Sequence, residues 1–308
     1  MRLAFFTIVT PPDLCIAEYC VRAMVDAAEK LDHTVSIIVF FNGVPPRQQE
    51  LIRGIKYSGH LEFRDNYEMI SAQADSIRKQ IGKAYVDASG ITAAREGLYE
   101  NGSVIWSREL LRISADFIAI VDADFEIFDP RFVDHMLGAF TREERLGFYS
   151  TDYTQTRRTF DTYSQTECII HERNHTWFCI YRREALLKES DFEFAEQTGI
   201  DGLVKYDHSA MLQKRLKDNH HYNGAHLPAA MHWMYLHYGA FAKNRSLTGR
   251  KLGFYRRIRV LVYNGYRHRH GIPFLAKVLK LAGRVLNRLL RLNRFDQERR
   301  RYISPVGA

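Results

Sequence analysis

Two aspartates, Asp122 and Asp124, have the types and spacing most suited to chemistry in this sequence of 308 residues. They follow residues 117–121, a continuous apolar run that is typical of a strand buried on both faces. In open α/β sheets, ligands bind beyond the carboxyl ends of the strands. Carboxylates at positions i and i+2 of such a loop reach one divalent cation, and oxygen ligands in an incomplete shell suit Mg²⁺ or Mn²⁺. The alternative is that both aspartates only cap a turn before Pro130.

The elements before this loop predict the sheet that positions it. Apolar runs predict buried strands over residues 3–10, 34–41 and 60–64. Helical spacing predicts helices over residues 14–31, from Pro45 onward and over residues 101–113. Asp13 is expected to cap the first helix, and the second helix is expected to carry Leu51, Ile52 and Ile55. Strands and helices that alternate with short connections predict an α/β fold with a mostly parallel sheet.

The middle of the chain has less regular spacing. Residues 66–91 are polar and are interpreted as a helix, whereas residues 142–172 are interpreted as a long loop that becomes ordered when a ligand binds. Residues 175–187 predict an apolar strand that leads into a helix, with Phe178 and Tyr181 in the core.

Residues 115–130, ADFIAIVDADFEIFDP, resemble the metal-binding strand and loop of GT-A glycosyltransferases, especially those of family 2. Three further segments match the order of that fold, namely FFTIVTPP at the N-terminus, VSIIVFFNGV in the second strand and YLHYGAF at residues 235–241. The resemblance covers roughly residues 1–245. It implies a Rossmann-like, mostly parallel sheet flanked by helices, in which residues 1–124 bind the nucleotide sugar and residues 125–249 bind the acceptor.

The resemblance implies a metal-dependent, inverting glycosyltransferase that uses a nucleotide-diphosphate sugar, most commonly a UDP-sugar, and a glycan or lipid-linked acceptor. Mn²⁺ or Mg²⁺ would be held by Asp124, with Asp122 on the ribose or a metal-bound water. His237 is the expected third ligand, preferred over His232, although an ordinary buried histidine is the alternative. The residues implied in nucleotide-sugar binding are Thr10, Pro11, Asn42, Asp122, Ala123 and Asp124.

Inverting transfer also requires a base that removes the proton of the acceptor hydroxyl. Residues 203–216 begin with polar side chains and continue as a helix, and a carboxylate at a helix start lies near the positive end of the helix dipole. Asp207 has that position, as the base has in many family-2 enzymes, and Asp201 is the second candidate; an ordinary helix cap is the alternative. Trp177 and Arg173 are the expected acceptor contacts, through ring stacking and charge.

The C-terminal segment carries a separate charge signal. Residues 250–301 hold sixteen Lys and Arg and two acidic residues, whereas the whole chain has a net charge of +8, so the rest of the chain is mildly acidic. Residues 273–292 predict an apolar helix with one basic stripe, formed by Lys277, Lys280, Arg284, Arg288 and Arg291. Such a helix is typical of binding to an anionic membrane surface. It would alternatively pack on the catalytic domain or on a second copy of the chain, and nucleic acid is not an expected partner, because no known binding motif is present.

Composition excludes several other classes. A content of 46% hydrophobic and 26% charged residues excludes wholesale disorder. No signal peptide and no stretch of about eighteen uncharged apolar residues is found, so we expect a cytoplasmic chain, peripheral on the inner membrane face.

Residues 1–249 are the expected catalytic domain and residues 250–308 a basic helical tail. Two other functions stay open, a nucleotidyltransferase acting on a sugar phosphate and a non-catalytic protein that binds membranes or polyanions, although residues 8–15 lack the glycine and basic residue of a nucleotidyltransferase phosphate loop.

Overall fold

The computed structural model of the protein describes residues 1–72, 91–94, 97–161, 166–189, 197–198, 204–206, 209–232 and 234–237. The strands in these stretches are β1 (Arg2–Val9), β2 (Thr34–Phe41), β3 (His60–Asp65), β4 (Ile91–Ala94), β5 (Gly97–Glu100), β6 (Phe117–Asp122), β7 (Phe125–Ile127), β8 (Leu146–Ser150), β9 (Tyr153–Thr154), β10 (Arg157–Asp161), β11 (Thr166–Ile170), β12 (Arg173–Asn174), β13 (Phe178–Arg182), β14 (Gln197–Thr198), β15 (Val204–Tyr206), β16 (Asn223–His226) and β17 (Tyr235–His237). The α-helices are α1 (Leu14–Ala28), α2 (Pro46–Arg53), α3 (Gly102–Glu109), α4 (Arg131–Arg142), α5 (Arg183–Lys188) and α6 (Ala210–His220), and 3-10 turns cover Pro11–Asp13, Leu110–Arg112 and Ala229–Met231.

Seven strands form the central sheet in the order β16–β8–β13–β6–β1–β2–β3. The pairs β1–β2, β1–β6, β2–β3 and β16–β8 are parallel, and β13 runs antiparallel to both of its neighbours, β6 and β8. The predicted α/β fold with a mostly parallel sheet is therefore confirmed. The carboxyl ends of the parallel strands and the amino end of β13 lie at the same edge of the sheet, which we call the carboxyl edge.

Both faces of the central sheet are covered, as the continuous apolar runs predict. Neighbouring residues of β1 such as Phe5 and Phe6 point to opposite faces, and both are fully buried. The helix α1 buries Ile16, Cys20 and Met24 on one stripe, which is the pattern of a helix that packs on a sheet. Strands buried in this way have rigid ends, and side chains placed there are held in fixed positions.

Four aromatic rings pack below the carboxyl edge and form what we call the aromatic cluster. Phe178 lies 5.1 Å from Phe125 and 5.0 Å from Phe132 between ring centroids, and Tyr235 stacks on Phe125 at 4.9 Å. These residues belong to β13, β7, α4 and β17, so the cluster joins the short antiparallel pair β7–β17 to the central sheet. Aromatic pairs add to the stabilisation that burial gives.

The interpretation of residues 142–172 as a long loop is wrong. The described part of this region contains β8 to β11, of which β8 joins the central sheet and β10 and β11 join a second sheet, β10–β11–β15–β14. All five residues of β8 are buried between β13 and β16. The sequence LGFYS does not alternate and has no β-branched residue, so only the long-range pairing determines that it is a strand.

Three details of the helices differ from the prediction. The helix α1 ends three residues earlier than predicted, and the carboxylate of Asp13 does not cap it but accepts hydrogen bonds from the backbone amide and hydroxyl of Thr10. The helix α2 ends at Arg53, so Ile55, which is buried, lies just beyond the helix that was predicted to carry it. Of the helix predicted over residues 66–91, residues 67–72 are helical and residues 73–90 lie outside the described part.

The basic helix predicted over residues 273–292 also lies outside the described residues. Within the described part of the chain, no helix combines the length and apolar character needed to cross a membrane.

The close approach of β16 to β8 requires a glycine at position 224. A Cβ on Gly224 would overlap the buried ring of Phe148, whose Cζ would lie 2.6 Å away, so Gly224→Ala is expected to lower the free energy of unfolding by about 1–3 kcal/mol. Gly102→Ala is the matched control, because its Cβ would meet Ile8 at 3.8 Å, an ordinary contact. Urea unfolding followed by circular dichroism measures both variants, and equal stabilities would contradict the prediction.

Candidate metal centre

The loop after β6 and the strand β17 bring two aspartates and a histidine together. Asp122 is the last residue of β6, and Asp124 stands immediately before β7. The strands β7 and β17 are antiparallel with His237 opposite Phe125, the residue next to Asp124. A pairing between segments more than 100 residues apart therefore places the imidazole beside both carboxylates.

The geometry of this group is that of a cation site. Nε2 of His237 lies 3.1 Å from Oδ1 of Asp124 and 3.4 Å from Oδ2 of Asp122. One ligand atom from each residue lies within 4.8 Å of the other two. The side chain of Asp124 is 9% exposed and that of Asp122 is 30% exposed, so the group opens toward solvent on the Asp122 side. Two carboxylates and one imidazole fit Mn²⁺ or Mg²⁺ and leave coordination positions for water and a ligand oxygen.

The two neighbouring carboxylates favour the protonated form of His237. Burial lowers the pKa of His237, but the negative charges of Asp124 and Asp122 and their hydrogen bonds to the ring outweigh burial and raise the pKa to about 10. In the protein without metal the imidazolium therefore neutralises part of the acidic pair. A metal ligand must be a neutral imidazole, so cation binding would release this proton.

In metal-free protein, stability is expected to fall as the pH rises from about 7 to about 10. The folded-state pKa of His237 is raised to about 10, so its contribution is fully present below the unfolded pKa of about 6.5 and is lost as the pH passes the folded value. The variant His237→Gln lacks this term. Because one pKa unit corresponds to about 1.4 kcal/mol, the wild type should lose a few kcal/mol more than the variant over this range. Urea unfolding in EDTA tests this, and parallel pH profiles would contradict it.

Asp13 adds a third carboxylate to the electrostatics of the centre. Burial raises the pKa of Asp13 to about 7, the hydrogen bonds from Thr10 oppose this rise, and the negative charges of Asp124 and Asp122 add to it. Sequence reasoning did not group Asp13 with the acidic pair, because Asp13 follows a different strand. Pro11 begins the 3-10 turn that carries Asp13 and is buried. Nucleotide binding by Thr10 and Pro11 stays a prediction.

Asn42 follows β2 at the same edge, but its side chain is fully buried in a polar network. Its amide donates to the carbonyl of Glu100 at 2.7 Å and its Oδ1 accepts from the amide of Glu100 at 2.8 Å and from Asn66 at 3.1 Å. Asn66 in turn accepts from the backbone of Gly43, and Arg108 forms an ion pair with Glu100 at 3.0 Å. The structure gives Asn42 the role of joining strand ends, and a nucleoside contact by Asn42 stays a prediction.

The remaining predicted site residues are distributed as follows. Ala123 is buried between the two aspartates, and Trp177 immediately precedes β13 at the carboxyl edge, where its carbonyl accepts from the backbone amide of Asp122 at 2.9 Å. Arg173 lies in β12, which pairs with β9. Asp207 and Asp201 lie outside the described residues. The acceptor and base assignments therefore stay predictions.

Sequence reasoning missed Asp152, which follows β8 at the carboxyl edge. Its carboxylate accepts a hydrogen bond from the hydroxyl of Tyr235 at 3.3 Å, and its backbone carbonyl accepts from the amide of His175 at 3.0 Å. Because β8 was not predicted as a strand, the sequence offered no signal that Asp152 lies at this edge.

No protein-family model matches the sequence, and a search of curated proteins finds no match. Similar solved structures include the mannosyltransferase of Pyrobaculum calidifontis in complex with GDP-Man and Mn²⁺, 12% identical over 92% of this chain and 69% of that chain, with a TM-score of 0.44. Glucosyl-3-phosphoglycerate synthase from Mycobacterium tuberculosis, in complex with Mn²⁺, UDP and glucosyl-3-phosphoglycerate, is 11% identical over 80% of this chain and 78% of that chain, with a TM-score of 0.40. A CMP:2-keto-3-deoxy-manno-octonic acid synthetase in complex with CTP is 10% identical over 74% and 89%, with a TM-score of 0.41. At these identities and TM-scores, the similarity assigns no activity to this chain.

Proposed function

We propose that this chain is a metal-dependent glycosyltransferase that moves a sugar from a nucleotide-diphosphate sugar to a glycan or lipid-linked acceptor. The observation that carries the proposal is the grouping of Asp122, Asp124 and His237 at the carboxyl edge of a mostly parallel sheet. Ligands of open α/β sheets bind at this edge. The resemblance of residues 115–130 to the metal loop of GT-A enzymes supports the same assignment.

In the proposed reaction, Asp124, Asp122 and His237 would hold one divalent cation. A bound Mn²⁺ or Mg²⁺ supplies positive charge that neutralises the negative charge developing on the leaving diphosphate. The side chain of Asp124 is nearly buried and contacts His237, so Asp124 would fix the position of the cation. The more exposed Asp122 would lie on the side from which the donor enters. Carboxylates that are fixed before the donor arrives need no reorganisation during the reaction.

The acceptor step is proposed to be inverting. The acceptor oxygen forms a bond to the anomeric carbon while the bond from that carbon to the diphosphate oxygen breaks, and the hydroxyl proton passes to a carboxylate of the protein. Asp207 is the proposed base and Asp201 the second candidate, on the sequence argument given above. Arg173 is a proposed acceptor contact through its charge. Trp177 would reach the acceptor with the edge of its indole, because the indole surface stacks on His175 and His237.

A panel of nucleotide sugars with Mn²⁺ tests the proposed function. UDP-sugars are the first choice, because they are the commonest donors among the enzymes that the sequence resembles. Binding to the folded state raises stability by RT ln(1 + [L]/Kd), about 2.7 kcal/mol at a hundredfold excess over Kd. We expect one nucleotide sugar to raise the melting temperature in the presence of Mn²⁺ and not in EDTA. A panel in which no nucleotide sugar gives a metal-dependent shift would contradict the proposal.

A nucleotidyltransferase is the second candidate, because an acidic metal loop after a strand serves that chemistry as well. The two functions differ in the bond that breaks. A glycosyltransferase breaks the bond between the sugar and the diphosphate of a nucleotide sugar and releases a nucleoside diphosphate. A nucleotidyltransferase joins the nucleotide of a nucleoside triphosphate to a sugar phosphate and releases pyrophosphate. Assays of both products with both substrate pairs therefore distinguish them.

We further propose that residues 273–292, in the basic tail 250–308, hold the catalytic domain 1–249 on an anionic membrane. Five basic side chains at about 1 kcal/mol each near an anionic leaflet, together with an apolar face, are sufficient for binding. The full chain is expected to float with liposomes that contain anionic lipid, and a chain that ends at residue 249 is expected to stay in the dense fraction. Equal flotation of the two chains would contradict this proposal, and vesicles of neutral lipid are the control.

A further inference from the structure

Three aromatic side chains form a stack that ends on the proposed metal ligand His237. The imidazole of His237 stacks on the indole of Trp177 with 4.4 Å between ring centroids and 23° between planes. The same indole stacks on the imidazole of His175 at 4.1 Å and 22°. His175 is 8% exposed, and its Nε2 lies 2.6 Å from the hydroxyl of Thr154.

The backbone of the central sheet fixes this stack in place. The carbonyl of Trp177 accepts from the amide of Asp122, and the next residue, Phe178, pairs with Val121 across β13 and β6. The amide of His175 donates to the carbonyl of Asp152. The indole is therefore anchored by the same strand end that carries one of the aspartates, whereas His237 ends a three-residue strand.

We propose that Trp177 is a positioning residue for the metal centre, which sets the plane of the His237 imidazole and is itself supported by His175. This inference rests on the metal centre of the proposed function. The carboxylates of Asp122 and Asp124 attract the ring of His237 but do not fix its tilt. The flat indole at 4.4 Å restricts rotation about the last side-chain bond, so that Nε2 stays directed between the two carboxylates.

This role differs from the acceptor contact that the sequence suggested for Trp177. An indole that stacks on two imidazole rings has its aromatic surface engaged within the protein. Residues that orient a metal ligand usually change metal affinity by about 10–100-fold when they are replaced. We therefore expect Trp177→Leu to raise the Kd for Mn²⁺ by a factor in that range. Trp177→Phe keeps a flat ring and should stay close to the wild-type value.

The experiment measures Mn²⁺ binding to the full chain by electron paramagnetic resonance, without any nucleotide or acceptor. Free Mn²⁺ gives the Kd, and the ¹⁴N modulation of the bound ion reports whether an imidazole coordinates it. We expect Trp177→Leu to lose most of this modulation along with affinity, as His237→Ala does. Trp106→Leu is the matched control, because Trp106 lies in α3 and packs against buried hydrophobic residues of the core.

The outcomes separate this inference from the proposed function. Wild-type protein that binds no Mn²⁺ would contradict the metal centre itself. Wild-type protein that binds Mn²⁺ with ¹⁴N modulation, and a Trp177→Leu variant with the same Kd and modulation, would overturn the positioning role alone. If Trp177→Leu does not fold by circular dichroism, His175→Leu is measured instead, because it removes the support of the indole and is expected to weaken Mn²⁺ binding while Trp177 stays in place. An unchanged Kd in a folded His175→Leu variant would then overturn the inference.

Discussion

Replacing Asp124 by asparagine is expected to reduce metal-dependent donor turnover by about a thousandfold. The side chain is 9% exposed and its Oδ1 lies 3.1 Å from His237, so it is the less solvated of the two carboxylates. Asparagine has nearly the same shape and keeps the packing, but its neutral amide cannot balance the charge of a divalent cation. The release of nucleoside diphosphate with Mn²⁺ measures the loss, and circular dichroism verifies the fold.

Asp116→Asn is the matched control for this variant. Asp116 precedes the same strand, β6, at its opposite end, where it forms an exposed ion pair with Arg2 at 2.7 Å. Such surface pairs contribute about 0–1 kcal/mol, so this variant should retain wild-type turnover. Full turnover by Asp124→Asn would contradict the catalytic interpretation and favour a protein in which the acidic pair has no part in a reaction.

The strands that carry the site were predictable because they are buried on both faces. Most positions of β1, β2 and β6 are apolar, and a short, mainly apolar run between turn signals is typical of a strand buried on both faces. The boundaries of β2 agree with the prediction, and those of β1 and β6 agree within one residue. Helix ends were predicted less well, because the first helix ends at Ala28 rather than Leu31 and the second at Arg53, before Ile55.

The strands between residues 146 and 170 were not predictable for a different reason. β8 is five residues long, and its place in the sheet depends on β13 and β16, which follow it by about 30 and 75 residues. Local spacing does not contain that information. The antiparallel direction of β13 has the same origin, and it is the feature that brings Trp177 to the carboxyl edge.

The candidate site divides in the same way. Asp122 and Asp124 were identified from their place after a buried strand, whereas His237 was identified only through the resemblance of residues 235–241 to a family segment. Its position beside the aspartates follows from the pairing of β17 with β7, which is not visible in local sequence. The burial of Asn42 was equally hidden, because the residues that enclose it, Asn66 and Glu100, belong to other segments.

Replacing Asp207 by asparagine is expected to lower the rate of sugar transfer by about 10²–10⁴-fold, the usual contribution of a general base. The amide cannot accept the proton of the acceptor hydroxyl, so the attacking oxygen stays a weak nucleophile. Binding of the donor with Mn²⁺ should not change, because Asp122, Asp124 and His237 are intact. Initial rates of transfer measure the first effect, and the metal-dependent rise in melting temperature with the donor measures the second.

Asp218→Asn is the control for the Asp207 variant, because the side chain of Asp218 is 53% exposed on α6 and pairs with Lys214 on the same helix. Asp201→Asn is measured in parallel as the second candidate. A rate that falls only in Asp201→Asn would move the base to that residue. A rate that is unchanged in both variants would contradict both assignments and make Asp152 the next carboxylate to replace, since it lies at the carboxyl edge and accepts from the hydroxyl of Tyr235 at 3.3 Å. In each case, donor binding that persists while transfer fails would separate the acceptor step from the metal centre.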